Sequence, residues 1–135
     1  MRLLPARLLC TVNLVAAAPV GWEYDLAVAQ KRAAKEGKLI FVDVWAEWCP
    51  PCQHLKASVF PTVEAQQALG KVIPVSLMTE TRDRRQMADN MKVAMRFKVE
   101  AYPTLLVLNA KGQEVKRHVG AFSTGAQLSD WLAKK

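Results

Sequence analysis

From residue 22 onward the apolar positions follow two rhythms. Leu26, Ala29 and Ala33 recur at helical spacing with charged residues between them, and Gly37 stands where that helix would end. Leu39 to Trp45 is apolar at every position except Asp43, the pattern of a strand covered on both faces. Beyond Cys52 a helical pattern runs through Leu55 to about Phe60, breaks at Pro61, and resumes from Val63 to Leu69 before Gly70. Val72 to Leu77 reads as a second strand, with Pro74 at odds with a central place. Thr79 to Arg82 reads as a polar connection and Asp83 to Phe97 as a long helix with Met87, Met91 and Met95 in line. Thr104 to Leu108 is a further buried strand. A turn at Asn109 to Gly112 returns it as Glu114 to Val119, and Ser123 is placed to cap a last helix whose Leu128, Trp131 and Leu132 point inward. The order predicts an α/β fold: a central mixed β-sheet flanked by helices on both faces, parallel at first and closed by an antiparallel hairpin.

The first residues follow a different rule. Arg2 and Arg7 precede the apolar stretch Leu8 to Val15, and Ala16-Ala17-Ala18 follows. Charged, apolar, then small is the order of a secretory signal, which places a signal peptide at 1–17, a short linker at 18–22 and one domain at 23–135. The apolar stretch is too short to span a bilayer, which takes about 20 residues, so no stable membrane insertion is expected after processing. Without Arg2 and Arg7 the formal charge falls from +7 to a modest excess, and the basic residues are scattered without interleaved aromatics, which argues against a nucleic-acid surface. Cys10 lies in the removable segment. The processed chain would keep Cys49 and Cys52, a pair with no third thiol to mispair, which suits an oxidising compartment.

That pair carries the candidate chemistry. Trp48-Cys49-Pro50-Pro51-Cys52 lies between an apolar strand and a helix, where residues three apart share a face at disulfide range. Cys49, at the helix start, is the nucleophile candidate because the positive end of the helix favours its thiolate; Cys52 would resolve the mixed disulfide. A purely structural disulfide or half of a metal site are the alternatives, although zinc wants four ligands and no second pair exists. Desolvation of Asp43, on the side of Phe41 and Trp45, would raise its pKa and make it a proton acceptor for Cys52; a hydrogen-bonded structural acid is the alternative. His54 lies two positions past Cys52, on another helix face, and reads as surface. The three methionines read as core filler rather than a copper site.

These motifs resemble the thioredoxin superfamily over nearly the whole chain after residue 21. Val42 to Cys52 is similar to its active-site strand and loop, with Pro50 where glycine is usual; Tyr102-Pro103-Thr104 is similar to its cis-proline loop, and Val119 to Ser123 to the stretch before its last helix. A nearer resemblance, through Lys35 to Lys38, Cys52 to Leu69, and Ala57 where ordinary thioredoxins have proline, is to the C-terminal periplasmic domain of DsbD-type thiol:disulfide interchange proteins and related secreted proteins. The resemblance implies a thioredoxin fold and a buried acid at Asp43 assisting Cys52, with Ser76 where thioredoxin's partner lysine would stand. It also implies a cis bond at Pro103 that presents the Tyr102 backbone to substrate, beside Trp48. The implied function is a periplasmic or secreted, monomeric thiol:disulfide oxidoreductase with no cofactor, acting on disulfide-containing proteins and taking electrons from a thiol donor such as a membrane thiol reductase. A disulfide oxidase or isomerase of the same fold, and a soft-metal chaperone-like module, remain as alternatives.

Overall fold

In the computed structural model, residues 2, 3 and 20–135 are described; the rest of the expected signal segment, Cys10 included, and the start of the linker lie outside them. The elements run α1 (Leu26–Glu36), β1 (Ile40–Ala46), α2 (Pro50–His54), which continues as a wide π turn (Leu55–Val59), α3 (Val63–Leu69), β2 (Ile73–Glu80), α4 (Ala88–Arg96), β3 (Thr104–Leu108), β4 (Glu114–Val119) and α5 (Gly125–Ala133). The sheet order is β2-β1-β3-β4. β1 pairs parallel to β2 and antiparallel to β3, and β3 and β4 form the closing hairpin.

Because side chains alternate along a strand, each apolar strand serves two cores. Ile40, Val42 and Val44 join Val75, Leu77 and Leu106 beneath α1 and α4. Phe41 points to the other face, among Leu55, Val59, Leu69, Leu105 and Leu128 from the π turn, α3, β3 and α5. Asp25 caps α1 by accepting from Ala27 N and Val28 N, and Gly37 closes it at φ 66°, a left-handed conformation that glycine adopts without a Cβ penalty. Pro74 fits because β2 is an outer strand: it needs no ladder donor there, and its carbonyl accepts from Glu23 N at 2.8 Å. Val20 and Trp22, in the stretch read as linker, pack against the second core.

Four expectations are corrected. The strand after Pro74 runs on through Thr79 and Glu80, because β1 continues to Ala46 and pairs with Glu80 across a register shift. Residues 83–87 are not helical. Thr81 and Arg85 close a tight turn, Arg84 takes φ 64°, and Gln86 bridges back to Glu80, so α4 begins only at Ala88. This breaks the methionine row: Met91 packs on the core, but Met87 precedes the helix at 37% exposure and Met95 is 72% exposed. The last helix is capped by Thr124 rather than Ser123, in a reciprocal box with Gln127.

α5 meets the start of α3 at a close approach. A Cβ on Gly125 would stand 1.7 Å from Thr62 Oγ1 and 2.8 Å from Thr62 Cβ, and Thr62 is itself the cap of α3. Gly125→Ala is therefore expected to destabilise the fold by about 1–3 kcal/mol through overpacking, seen as a drop of several degrees in the thermal midpoint. An unchanged midpoint would refute that packing.

Candidate active site

The dithiol sits where β1 ends. The register shift between Trp45 and Ala46 bends the strand as the chain leaves it. Cys49 N then donates to the Ala46 carbonyl at 3.2 Å, and α2 begins at Pro50. Prolines fit these first two helical positions, whose N–H groups would have no intrahelical acceptor. Cys49 is the cap of α2: its Sγ accepts from the Cys52 N–H at 3.3 Å. The two cysteines are paired as a disulfide with Cα atoms 5.3 Å apart.

Both cysteines are more enclosed than the sequence suggests. Cys49 keeps 3% exposure and Cys52 none, so an approaching sulfur meets Cys49. Around them gather Ala46, Trp45, Trp48 and Tyr102. The Tyr102–Pro103 bond is cis, and the Tyr102 carbonyl lies 3.5 Å from Cys49 Sγ. Pro103 is buried, whereas Trp48 and Tyr102 are half-buried and meet edge to face, ring centroids 6.0 Å apart. His54 is exposed and its ring meets the Ser123 carbonyl, away from the sulfurs.

Asp43 lies on the face of β1 that carries Phe41 and Trp45, under α2 and its π turn. It is wholly buried, and neither carboxyl oxygen has a hydrogen-bond partner among the described residues. Burial pushes its pKa up to about 7, against a smaller opposing pull from the Lys56 ammonium.

Lys56 is the site residue that sequence reading missed. In register, Asp43 sits beside Ser76, whose hydroxyl accepts from Trp45 Nε1 at 2.9 Å. The positive charge comes instead from the helix side, with the Lys56 Nζ 3.6 Å from the Trp45 ring centroid. The available signal was its spacing, four residues past Cys52 and hence on the same helix face. Two further contributors come from the end of β2 and the turn that follows it. Glu80 accepts from Trp48 Nε1 at 2.6 Å, and the Arg84 guanidinium lies 4.4 Å from the Trp48 ring centroid. Glu47 accepts from Arg82 N at 2.9 Å, so this turn braces the loop that leads into Cys49.

Residues 26–135 match the thioredoxin-like domain family. The chain belongs to that family. Its Cys-x-x-Cys pair, at disulfide distance, places it among thioredoxin-like thiol:disulfide oxidoreductases, which work through the dithiol without a cofactor. Over 105 residues, 76% of the chain, this thioredoxin-like protein is 29% identical to the thiol:disulfide interchange protein DsbD of Haemophilus ducreyi. The match covers 18% of that protein, and the chain spans under a fifth of the length of the DsbD relatives it matches. An oxidoreductase named DsbH shares the fold at TM-score 0.73 and 20% identity over 94% of each chain. The oxidised C-terminal domain of Neisseria meningitidis DsbD does so at TM-score 0.62 and 18% identity, over 82% of this chain and 96% of that one. Among the described residues no group of three or more His, Cys, Asp or Glu side chains could hold a metal ion, and no helix is long and apolar enough to cross a membrane.

Proposed function

We propose that this thioredoxin-like protein reduces disulfides in exported protein partners, with Cys49 as nucleophile, Cys52 as resolving thiol and Asp43 as proton acceptor. The observation that carries the reading is the asymmetry of the dithiol. Cys49 Sγ receives the Cys52 N–H at a helix start and faces the Tyr102 carbonyl, while Cys52 is sealed beneath it. A Cys49 thiolate attacks the substrate disulfide; a mixed disulfide forms and one substrate sulfur leaves as thiolate, which takes a proton from water. Cys52 then gives its proton to the Asp43 carboxylate and attacks Cys49 Sγ. The mixed disulfide breaks, its electron pair leaves on the second substrate sulfur, and Cys49–Cys52 closes. Substrate gains two electrons and the protein loses two.

Trp48 and the Tyr102-Pro103 loop form the substrate-facing rim, with the Tyr102 backbone beside the reacting sulfur. A thiol donor, in this reading a membrane thiol reductase, restores the dithiol. Residues 1–17 act as an export signal, and the mature protein, in which Val20 and Trp22 pack on the domain's core, works as a soluble periplasmic monomer. Support for the compartment comes from the basic, apolar, small-residue order of the first residues and from the lack of a spare cysteine beyond them.

Direction is tested by equilibrating Cys49 and Cys52 in glutathione buffers and reading the potential. A reductant is expected near the thioredoxin value of about −270 mV; a value near about −120 mV, where strongly oxidising members lie, would overturn the reductive direction. The 150 mV between them corresponds to roughly 7 kcal/mol for a two-electron couple, so the outcomes are well separated.

A further inference from the structure

Asp43 can accept a proton from Cys52 only while it is ionised, and a buried carboxyl without hydrogen bonds favours the neutral form. An ionised fraction near neutral pH therefore calls for a compensating charge. The elements packed around Asp43 offer few candidates. β2 presents Ser76 and β3 presents Leu105 as register neighbours, α2 contributes Cys52, and the Tyr24 phenol stands with Lys56 and Ser76 in a neighbouring cleft. Among the described residues Lys56 is the one charged group that acts on Asp43, and Asp43 the one that acts on Lys56.

Burial of the Lys56 stem lowers its pKa, and the Asp43 charge opposes that pull. The stem lies half-buried on the helix face that also carries Cys52, and its ammonium rests on the Trp45 ring. It lines a cleft of about 530 Å³ shared with Trp22, Tyr24 and Ser76, and a second opening shared with Trp45, Ser76 and Met78. Two clefts thus open onto the lysine, whereas Asp43 has no exposed surface. The π turn begins at Leu55, immediately before Lys56, a departure from regular helix that often marks functional positions.

We infer that Lys56 is a positioning residue for the dithiol reaction, holding the Asp43 carboxylate in its ionised form so that Cys52 can lose its proton. The inference rests on the proton-acceptor role proposed for Asp43. Lys56 touches neither sulfur; it acts through Asp43, and its replacement changes the pH at which Asp43 works rather than the route of the electrons.

The test follows the Asp43 carboxyl carbon by NMR titration in the oxidised full chain, alongside the pH profile of substrate release from the Cys49 mixed disulfide. In Lys56→Met the Asp43 midpoint is expected to rise from about 7 by roughly one pH unit, and release at pH 7 to slow by about five- to tenfold and recover at higher pH. Lys56→Gln, which keeps a polar end in the cleft, gives the same shift if charge is the cause, and Lys56→Arg stays near wild type. An unmoved midpoint in both neutral variants overturns the inference while leaving the proposed roles of Asp43 and the cysteines intact. A midpoint that moves without any change in the release profile overturns the proton-acceptor role of Asp43 itself, and the role of Lys56 with it.

Discussion

Cys52→Ser is expected to hold substrate proteins on Cys49 as mixed disulfides that survive denaturing, non-reducing electrophoresis, whereas Cys49→Ser holds none. Both variants should lose disulfide-reductase turnover by about a thousandfold or more, since each lacks one half of the exchange. The structural reason for the unequal trapping is access. Cys52 has no exposed surface and lies behind Cys49, whose sulfur sits beside the Tyr102 carbonyl at the rim. Without Cys52 the first bond still forms, but nothing within reach breaks it. Equal trapping by the two variants would refute the division of labour, and trapping through Cys49→Ser alone would reverse it.

The second large effect belongs to Asp43. Its folded pKa, raised by burial to about 7, stands roughly three units above its unfolded value. Between about pH 4 and 7 the folded protein therefore binds the proton that the unfolded chain has released, so stability falls as pH rises through this window and levels off above it. Three units correspond to on the order of 4 kcal/mol. Asp43→Asn removes the ionisation without changing the shape of the side chain. The variant should match wild type near pH 4 and exceed its stability by up to about that amount at pH 8, as measured by urea unfolding of the oxidised protein. The same variant should resolve the Cys49 mixed disulfide at least about tenfold more slowly at neutral pH, because Cys52 loses its proton acceptor. Greater stability with slower chemistry is the expected signature of a buried acid kept for function. If Asp43→Asn proved less stable than wild type at pH 8, the surroundings, Lys56 included, would stabilise the carboxylate by more than burial costs it, and the raised pKa would be refuted.

A soft-metal module would use the same dithiol in its reduced form, and stoichiometric copper(I) binding without disulfide-reductase activity would favour it; the methionines add no ligand row, since Met87 and Met95 do not share a buried helix face with Met91. The geometry favours exchange between sulfurs, where one sulfur is reachable and the other waits behind it.

Much of the fold was legible because its signals are local. The apolar run before Cys49, Gly37 at a helix end and the hairpin turn at Asn109 to Gly112 each act within a few residues, and the elements form close to where those patterns place them. Asp43 stood out as one acid in an apolar strand. The misread stretch, Thr79 to Met87, has local chemistry that permits a polar loop or a helix; its shape is decided by Ala46 pairing with Glu80 and Gln86 folding back onto that residue. Ser123 and Thr124 are adjacent candidates for one cap, and only the path of the backbone into α5 chooses between them.

The Cys49 and Cys52 pair, the strand that delivers it, the acid at Asp43 and the order of the layers follow from the chain alone, because spacing and apolar periodicity are written along it. Tertiary structure decided what surrounds that pair. Packing α2 and its π turn across β1 brings the Lys56 charge to bear on Asp43, and the end of β2 with the turn after it sets Glu80 and Arg84 against Trp48. Charge and burial at a site depend on distance through space, and side chains from separate elements meet only after the sheet has formed.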